Sequence, residues 1–279
     1  MQKDAKASSE KPENIPPFLK WAGGKRWFVD NWLDLLPENF NTFIEPFVGS
    51  GAVFFALKPS KAILGDSNKD LIASYQAIKF NSKLVLKHLK THSNNHGKRY
   101  YYRVRSSAPK TIYARAARLI YLNRTCWNGL YRVNALGNFN VPIGTRRDII
   151  RKNEDFSKIE KLLKNAKLRT SDFEPTINLA KKGDLVFVDP PYTVKHNNNG
   201  FIKYNEKIFS WDDQIRLKNC LKKAQERGAY IFVTNACHRP IRNLYKDYFR
   251  TKGLIRTSSI AADPSKRGLT EEILIMGKN

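Results

Sequence analysis

The segment Asp189-Pro190-Pro191-Tyr192 combines groups that could act on an exocyclic amine. A carboxylate and a backbone carbonyl, the latter fixed by consecutive prolines, form two adjacent acceptors, and such an amine has two N–H donors to offer. The tyrosine could stack on the ring that carries the amine. A strand-ending turn with a packed tyrosine would use the same residues, so this segment alone leaves both interpretations open.

The elements that would position this segment follow an α/β pattern. The apolar run Leu185–Val188 predicts a buried parallel strand, and open α/β sheets bind ligands beyond the carboxyl ends of such strands. Further strands are predicted at residues 42–45, Ala62–Asp66, 167–170, 229–233 and 273–276, the last as an edge or final strand. Helices are predicted at Ala52–Leu57, at residues 69–89 and at Trp211–Glu226, the last capped by Ser210. We therefore predict an α/β fold with a doubly wound, Rossmann-like sheet.

A glycine turn separates the first two predicted strands. Gly49 and Gly51 would let the backbone approach a ligand, and the following helix would point its N–H groups at that ligand. The turn lacks the GxGxxG of dinucleotide sites and the GK[ST] of phosphate loops, so a nucleoside without a pyrophosphate fits better. Asp66 ends the next strand, where it could bind ribose hydroxyls or cap a helix.

Near the start of the chain, the segment FLKWAGGK places Trp21, Lys20 and Lys25 around a Gly-Gly turn. Packing alone explains this composition poorly, although a plain turn after a short strand is the alternative. Residues 1–17 are polar and close with two prolines, and they lack the apolar core of a signal peptide. We expect them to form a disordered lead-in.

The charge of the chain is strongly positive and uneven. Its net charge is +25 with a pI near 10.0, and residues 98–169 alone hold 18 Lys/Arg against 4 Asp/Glu. This distribution favours a nucleic acid as the partner over a basic surface that serves only solubility. A membrane is the lesser option. Cys126, Cys220 and Cys237 lack CxxC spacing, which favours neither a zinc site nor a disulfide framework and fits a reducing compartment. The chain contains no run of 18 apolar residues.

Residues 81–166 interrupt the α/β rhythm with helical patterns, clearest at residues 114–120, and a turn-rich stretch at 134–144 that predicts a hairpin. A basic insert therefore interrupts a doubly wound sheet that is formed by residues 18–80 and 167–279.

Several motifs, in this order along the chain, resemble one family. They are FLKWAGGK, EPFVGSGAVF, LGDSNKD, then NRTCWNGLYRVN and GNFNVPIG in the insert, and finally DPPY. DPPY alone is shared with RNA and protein methyltransferases, but the combination resembles the DNA adenine methyltransferase (Dam) family, which is N6-adenine-specific and of the D12 class. The resemblance covers residues 18–276. It implies that residues 81–166 are a DNA target-recognition domain and that residues 18–80 and 167–279 form the S-adenosylmethionine-binding catalytic domain.

The resemblance implies that S-adenosylmethionine is the methyl donor and that N6-methyladenine in double-stranded DNA is the product, with no metal. It assigns the cofactor to Trp21, Lys25, Gly49, Gly51, Asp66, Asp172, Phe173 and Asp189. Asp189 and the Pro190 carbonyl would accept the amine hydrogens, while Tyr192 stacks on an adenine flipped out of the duplex. We expect GATC as the site, and a monomer that works in the cytoplasm, with the nucleoid if the source is bacterial.

In the insert, the resemblance gives DNA contacts to further residues. Arg132 would bind a guanine through two guanidinium nitrogens, and Lys20 would face the other guanine. Arg124 would contact a phosphate. Contacts to a thymine methyl fall to Leu130 and Pro142, and Trp127 and Asn128 would fill the space left by the flipped base. Leu130 and Pro142 could instead be hairpin packing, and Arg124 a charge on a helix face. Residues 193–208 are expected to close over the target base, whereas residues 258–267 match the family only loosely.

Two other functions stay open at this point. An RNA or protein amino-group methyltransferase would share DPPY but should lack the NRTCWNGLYR segment. A non-catalytic DNA-binding protein on the same fold should have lost Asp189, Tyr192 or the glycine turn. A restriction nuclease would need an acidic metal cluster, which the sequence lacks.

Overall fold

The computed structural model describes residues 15–134, 136–152, 154–192, 209–257 and 269–278. Within these ranges, seven strands form one sheet: β1 (Phe43–Glu45), β2 (Ala62–Asp66), β3 (Ala166–Thr170), β4 (Leu185–Val188), β5 (Tyr230–Ala236), β6 (Arg250–Thr257) and β7 (Leu269–Met276). Their order is β3-β2-β1-β4-β5-β7-β6, and β7 alone runs antiparallel to its neighbours. The predicted α/β, doubly wound, Rossmann-like fold is confirmed.

Strands β1 and β4 form the centre of the sheet, and all their residues are buried. They pair in parallel, with Phe43 opposite Leu185 and Ile44 opposite Val186. The chain winds outward from this pair in both directions, so the strand order reverses here. Such a switch point opens a crevice at the carboxyl ends of the strands, which here are Glu45 and the Asp189 that follows Val188.

The described helices surround the sheet and build the insert. They are α1 (Arg26–Trp32), α2 (Ala52–Leu57), α3 (Lys69–Asn94), α4 (Lys98–Ser106), α5 (Ile112–Thr125), α6 (Phe156–Leu163), α7 (Phe173–Ile177), α8 (Trp211–Glu226) and α9 (Arg239–Tyr245). Ser210 caps α8 as predicted, because its hydroxyl accepts the Asp213 N–H at 3.1 Å while the Asp213 carboxylate accepts the Ser210 N–H at 2.9 Å.

The strand predicted at residues 273–276, as an edge or final strand, belongs to β7, which is the last described strand along the chain. It is no edge strand, because it lies inside the sheet between β5 and β6. Ile273, Leu274 and Ile275 are all fully buried there. The edge strand on this side of the sheet is β6, whose sequence RTKGLIRT carries too few apolar residues to be identified as a strand.

The insert begins where α3 changes course. Asn81 has non-helical backbone angles within α3, and the second half of that helix packs against α5 and α6. The predicted hairpin is held by isolated bridges, Cys126 to Ile143 and Val133 to Phe139, rather than by paired strands. Its side chains Phe139 and Val141 join the same buried cluster as the sheet residue Phe187, so the insert and the sheet share a core.

At the start of the chain, the lead-in prediction needs a correction. Residues 1–14 lie outside the described ranges, but Pro17 is buried and its carbonyl accepts a hydrogen bond from Arg151 at 3.1 Å. This end of the predicted lead-in is therefore packed. Residues 193–208 and 258–267, whose roles were predicted from the resemblance, also lie outside the described ranges. No helix among the described residues is both long and apolar enough to cross a membrane.

Candidate active site

The carboxylate of Asp189 lies at the centre of the site, directly after β4. Its Oδ1 accepts a hydrogen bond from Thr234 of β5 at 2.9 Å and lies 2.8 Å from the ammonium of Lys25. Burial raises the pKa of Asp189, and the positive charge of Lys25 opposes that rise. The tertiary structure thus holds an acceptor with a fixed orientation at the carboxyl edge of the sheet.

Lys25 reaches this carboxylate from the residue that precedes α1. Its side chain is 4% exposed, and its ammonium also donates to the Gly23 carbonyl at 2.8 Å. The same ammonium lies 4.9 Å from the centroid of the Tyr192 ring. Three sequence-predicted residues, Lys25, Asp189 and Tyr192, therefore meet in one place.

Sequence reasoning missed a fourth member of this group, Glu272 on β7. It is 2% exposed, its carboxylate accepts a hydrogen bond from the Tyr192 hydroxyl, and one of its oxygens lies 3.6 Å from the Lys25 ammonium. The sequence carried only a weak signal, because an acidic residue next to the apolar run Ile273 to Met276 is ordinary in an edge strand and becomes unusual only once the strand is known to be interior. A charge at such a position requires a partner.

The glycine turn lies beside this group. The Gly49 N–H donates to Asp66 Oδ2 at 3.2 Å, and the Asn68 N–H donates to Asp66 Oδ1 at 2.9 Å. Burial raises the pKa of Asp66, while these backbone donors act against the rise. Gly49 has φ +46°, and an added Cβ would lie 2.8 Å from the Trp21 indole, so only glycine fits this turn without displacement.

Glu45, at the end of β1, is also part of this crevice. Its side chain is buried, and its Oε2 has no hydrogen-bond partner among the residues that the structure describes. Burial raises its pKa well above the ordinary value, and the nearby charges of Asp189 and Asp66 raise it further. An unpartnered buried carboxyl beside a glycine turn suits a ligand that carries an ammonium group, and Asp66 suits one that carries hydroxyls. S-adenosylmethionine has both, so these residues fit it.

Comparison with known proteins shows the family of the chain. Residues 21–260 match the model of the D12 class N6 adenine-specific DNA methyltransferases. The chain belongs to this family.

Three relatives match nearly the whole length of this chain. The Type II methyltransferase M1.LlaDCHI of Lactococcus lactis subsp. cremoris is 37% identical to it over 272 residues, which are 94% of this chain and 95% of that protein. The DNA adenine methylase of Haemophilus influenzae is 31% identical, with 92% of each chain covered. The DNA N-6-adenine-methyltransferase of Escherichia phage P1 is 34% identical over 92% of this chain, which matches 34% of the longer phage protein.

The N-terminal segment of the methyltransferase is tied to the insert by Asn123. The Asn123 side chain accepts the Lys20 N–H at 2.8 Å and donates to the Lys20 carbonyl at 2.7 Å and the Gly129 carbonyl at 3.2 Å. The Trp21 indole stacks on the Tyr131 ring, with centroids 5.1 Å apart. The predicted cofactor segment and the predicted DNA-reading segment are thus neighbours.

Most of the other residues predicted to contact DNA lie at the surface. Lys20, Trp127, Asn128, Arg132 and Pro142 are exposed, and Leu130 is half-buried. The Arg132 Nε donates to the Asn140 side chain at 3.0 Å, which supports the guanidinium. Their contacts to individual bases stay predictions.

The structure contradicts the phosphate contact predicted for Arg124. This guanidinium is 4% exposed, pairs with the Glu154 carboxylate, and donates to the carbonyls of Ile149 at 2.6 Å and Phe18 at 2.7 Å. Arg124 therefore joins Phe18 of the N-terminal segment to Ile149 and Glu154 of the insert instead of facing DNA. Arg124 does lie on a helix, α5, as the alternative from the sequence had it, but which side of α5 is buried depends on the tertiary packing.

Asp172 and Phe173 lie at the start of α7, where an arginine already engages them. Both arms of Arg216 reach the Asp172 carboxylate, at 2.8 and 2.9 Å, and its guanidinium lies 4.2 Å from the centroid of the Phe173 ring. Phe173 also stacks on Phe47 of the glycine turn at 5.5 Å. Their role in holding the adenine of the cofactor stays a prediction. Among the described residues, His, Cys, Asp and Glu side chains form no group of three that could bind a metal.

Proposed function

We propose that this protein is a site-specific DNA adenine-N6 methyltransferase that uses S-adenosylmethionine, flips its target adenine out of the duplex and acts at GATC. The observation that carries the proposal is the meeting of Asp189, Lys25 and Tyr192 at the carboxyl end of β4, next to the Gly49 turn. Methylation of an adenine amine requires an acceptor for the amine hydrogens, an aromatic ring to stack on the base and a binding place for the methyl donor. Asp189, Tyr192 and the Gly49 turn would supply these three. The reaction class agrees with the family to which the chain belongs.

The chemistry follows from the two acceptors. Asp189 and the Pro190 carbonyl accept the two amine hydrogens, which orients the nitrogen lone pair toward the methyl group and stabilises the positive charge that develops on nitrogen. As co-substrate, S-adenosylmethionine supplies a methyl group whose bond to sulfur breaks while the N–C bond forms, its electron pair staying on sulfur. The nitrogen then loses one proton to the Asp189 carboxylate, which passes it to solvent water. Asp189 need not be a strong base, because that proton is acidic once the nitrogen is methylated.

Tyr192 accounts for how an adenine reaches these acceptors. An amine inside a duplex is inaccessible, so the base must leave the stack. The Tyr192 ring lies beside Lys25 and stacks on the flipped base, which compensates part of the lost base stacking.

The methyl donor would occupy the crevice at the ends of β1 and β2. We assign its ribose hydroxyls to Asp66, its ammonium group to Glu45, and its adenine to the aromatic pair Phe47 and Phe173. Gly49 to Gly51 would lie against the methionine part. Trp21 closes this crevice above the glycine turn.

DNA would bind to the basic insert, which we propose as the recognition domain of residues 81–166, with residues 18–80 and 167–279 as the catalytic domain. A surface cavity of about 40 Å³ lies beside Lys20. It is lined by Lys20, Asn123, Arg124, Gly129, Arg146, Asp148 and Arg151. Since Arg124 is buried, we assign phosphate contacts to the exposed Arg146 and to the partly buried Arg151 in its place. Lys20 and Arg132 would read the guanines, with Leu130 and Pro142 against a thymine methyl.

One chain carries both proposed substrate sites, so we expect the protein to act as a monomer. We expect it to act in the cytoplasm, where DNA is accessible.

A transfer assay tests the proposal. The protein is incubated with methyl-labelled S-adenosylmethionine and either of two duplexes that differ only in carrying GATC or GTAC. Label in the GATC duplex alone, recovered as N6-methyladenine, would support both reaction and site. Label in both would keep the reaction and contradict the thymine contacts of Leu130 and Pro142, because the two duplexes carry the same outer guanines and differ only in the inner base pairs. Label in neither, with binding of the methyl donor shown by calorimetry, would contradict GATC and direct the test to longer sites, RNA or protein.

A further inference from the structure

Glu272 places a second carboxylate within the group around Asp189. It lies on the interior strand β7, opposite Ala236 of β5 and Leu254 of β6. Directly opposite residues of an antiparallel pair face the same side of a sheet, so Glu272 faces the same side as Ala236. Thr234, the donor to Asp189, lies two residues before Ala236 on β5 and therefore faces that side as well. Burying an acidic side chain there costs free energy unless its partners compensate.

Its partners are Tyr192, to which we assign stacking on the target base, and Lys25, the ion-pair partner of Asp189. The Glu272 carboxylate accepts the hydrogen bond of the Tyr192 hydroxyl, and its Oε2 lies 3.6 Å from the Lys25 ammonium. Lys25 in turn lies 2.8 Å from Asp189 and 4.9 Å from the centroid of the Tyr192 ring. One ammonium therefore lies between two carboxylates and against the aromatic ring.

We propose that Glu272 is a positioning residue of the methyl-transfer reaction, which holds the Tyr192 ring against the flipped adenine and shares the Lys25 ammonium with Asp189. This inference rests on the function proposed above. Glu272 acts through Tyr192 and Lys25, since both lie between it and the place of the target base. A stacked ring that is anchored at its hydroxyl end keeps the adenine amine in reach of Asp189, and small errors in such alignment lower the rate strongly.

The charge of Glu272 adds a second effect. The formal charges of Asp189, Glu272 and Lys25 leave one net negative charge beside the amine, and the amine nitrogen becomes positive during transfer. Replacing Glu272 by glutamine removes that net charge and keeps the size of the side chain. Such a change weakens an interaction made in the transition state and should lower kcat more than it changes KM.

The test compares Glu272→Gln, Tyr192→Phe and the double variant, with Glu271→Gln as matched control. Glu271 is the preceding residue of β7 but is exposed, facing the other side of the sheet. We expect Glu272→Gln to lower kcat about tenfold while KM for the methyl donor and for DNA changes by less than about twofold. Glutamine still offers an acceptor oxygen to the Tyr192 hydroxyl but makes that hydrogen bond weaker, because it is no longer charged. The fold loss caused by Glu272→Gln should therefore shrink in the Tyr192→Phe background, where this hydrogen bond is already missing. Glu271→Gln should match the wild type.

Several outcomes would overturn the inference. These are an unchanged kcat in Glu272→Gln, an effect confined to KM, or the same fold loss with and without the Tyr192 hydroxyl. Should Glu272→Gln fail to fold, Glu272→Asp keeps the charge near Lys25 but withdraws the carboxylate from Tyr192, and a wild-type kcat in that variant would equally overturn it. The wild-type protein is assayed for adenine methylation first, so failure of the proposed function is recognised before any variant is compared.

Discussion

The Trp21 indole stacks on the Tyr131 ring at 5.1 Å, with 24° between the planes, and so joins the segment next to the glycine turn to the hairpin of the insert. This contact connects the proposed methyl-donor crevice with the proposed DNA-reading surface. We expect Tyr131→Ala to raise KM for both substrates, because each surface loses its packing partner, whereas Tyr131→Phe retains the ring and most of the affinity. Steady-state kinetics with each substrate varied in turn measures this. A change in KM for DNA alone would contradict the coupling.

Asp189 should separate chemistry from binding. We expect Asp189→Ala to lower kcat by at least about 10²–10³, because one of the two acceptors for the amine is lost. The affinity for DNA, measured by fluorescence anisotropy with a labelled GATC duplex, should stay close to that of the wild type. Equal losses of activity and of DNA affinity would mean that Asp189 supports the structure of the DNA-binding surface instead.

Gly49 should be indispensable for binding the methyl donor. In Gly49→Ala the new Cβ would lie 2.8 Å from Trp21 at a φ of +46°, so the turn must shift. We expect the Kd for S-adenosylmethionine, measured by titration calorimetry, to rise about tenfold or more, corresponding to a strain of about 1–3 kcal/mol. The matched control is Gly97→Ala, where nothing lies within 4 Å of the added Cβ. Equal affinities in the two variants would place the methyl donor elsewhere.

Glu45 makes stability depend on pH in a defined direction. Burial raises its pKa well above the ordinary value of 4.5, so the folded protein retains this proton at a pH where the unfolded chain has lost it. The contribution of this group to stability is therefore full below pH 4.5 and is lost as the pH rises through the raised pKa. Glu45→Gln carries no such charge, so the stability of the variant relative to the wild type should increase with pH.

Urea unfolding of the wild type and of Glu45→Gln without ligand, at pH 5 and pH 8, measures how much their free energies of unfolding differ. We expect the free energy of unfolding of Glu45→Gln, relative to the wild type, to be on the order of 1–3 kcal/mol higher at pH 8 than at pH 5. A difference independent of pH would mean that Glu45 does not retain its proton in the folded protein. Added S-adenosylmethionine should stabilise the wild type more than Glu45→Gln if Glu45 binds the ammonium group.

Two arginines of the insert should behave in opposite ways. Arg124→Ala breaks a buried ion pair with Glu154 and should lower the free energy of unfolding by about 3–5 kcal/mol. Arg146→Ala should leave the free energy of unfolding within about 0.5 kcal/mol of the wild type, because the residue is exposed. It should instead reduce the slope of log Kd against log salt by about 1, the value for one phosphate contact. Loss of DNA affinity in a fully stable Arg124→Ala would restore the phosphate role of Arg124.

The sequence predicted those parts of the fold whose signal is local. The bounds of β2, β4, α2 and α8 agree with the structure because each is a continuous apolar run or an amphipathic helix between clear turns or caps. β6 gave no such signal, since its residues alternate weakly and it lies at the edge of the sheet. The place of β7 between β5 and β6 depends on antiparallel pairing between distant segments, which no local pattern encodes.

The site divides in the same way. Motif order along the chain was enough to select Lys25, Asp189 and Tyr192, and the sequence by itself determined the fold class and the family. Only the tertiary structure decided that Glu272 joins them and that Arg124 does not face the surface of the insert. The physical reason is that a charged side chain becomes functional or structural through its partners and its burial, and both depend on contacts between segments far apart in the chain.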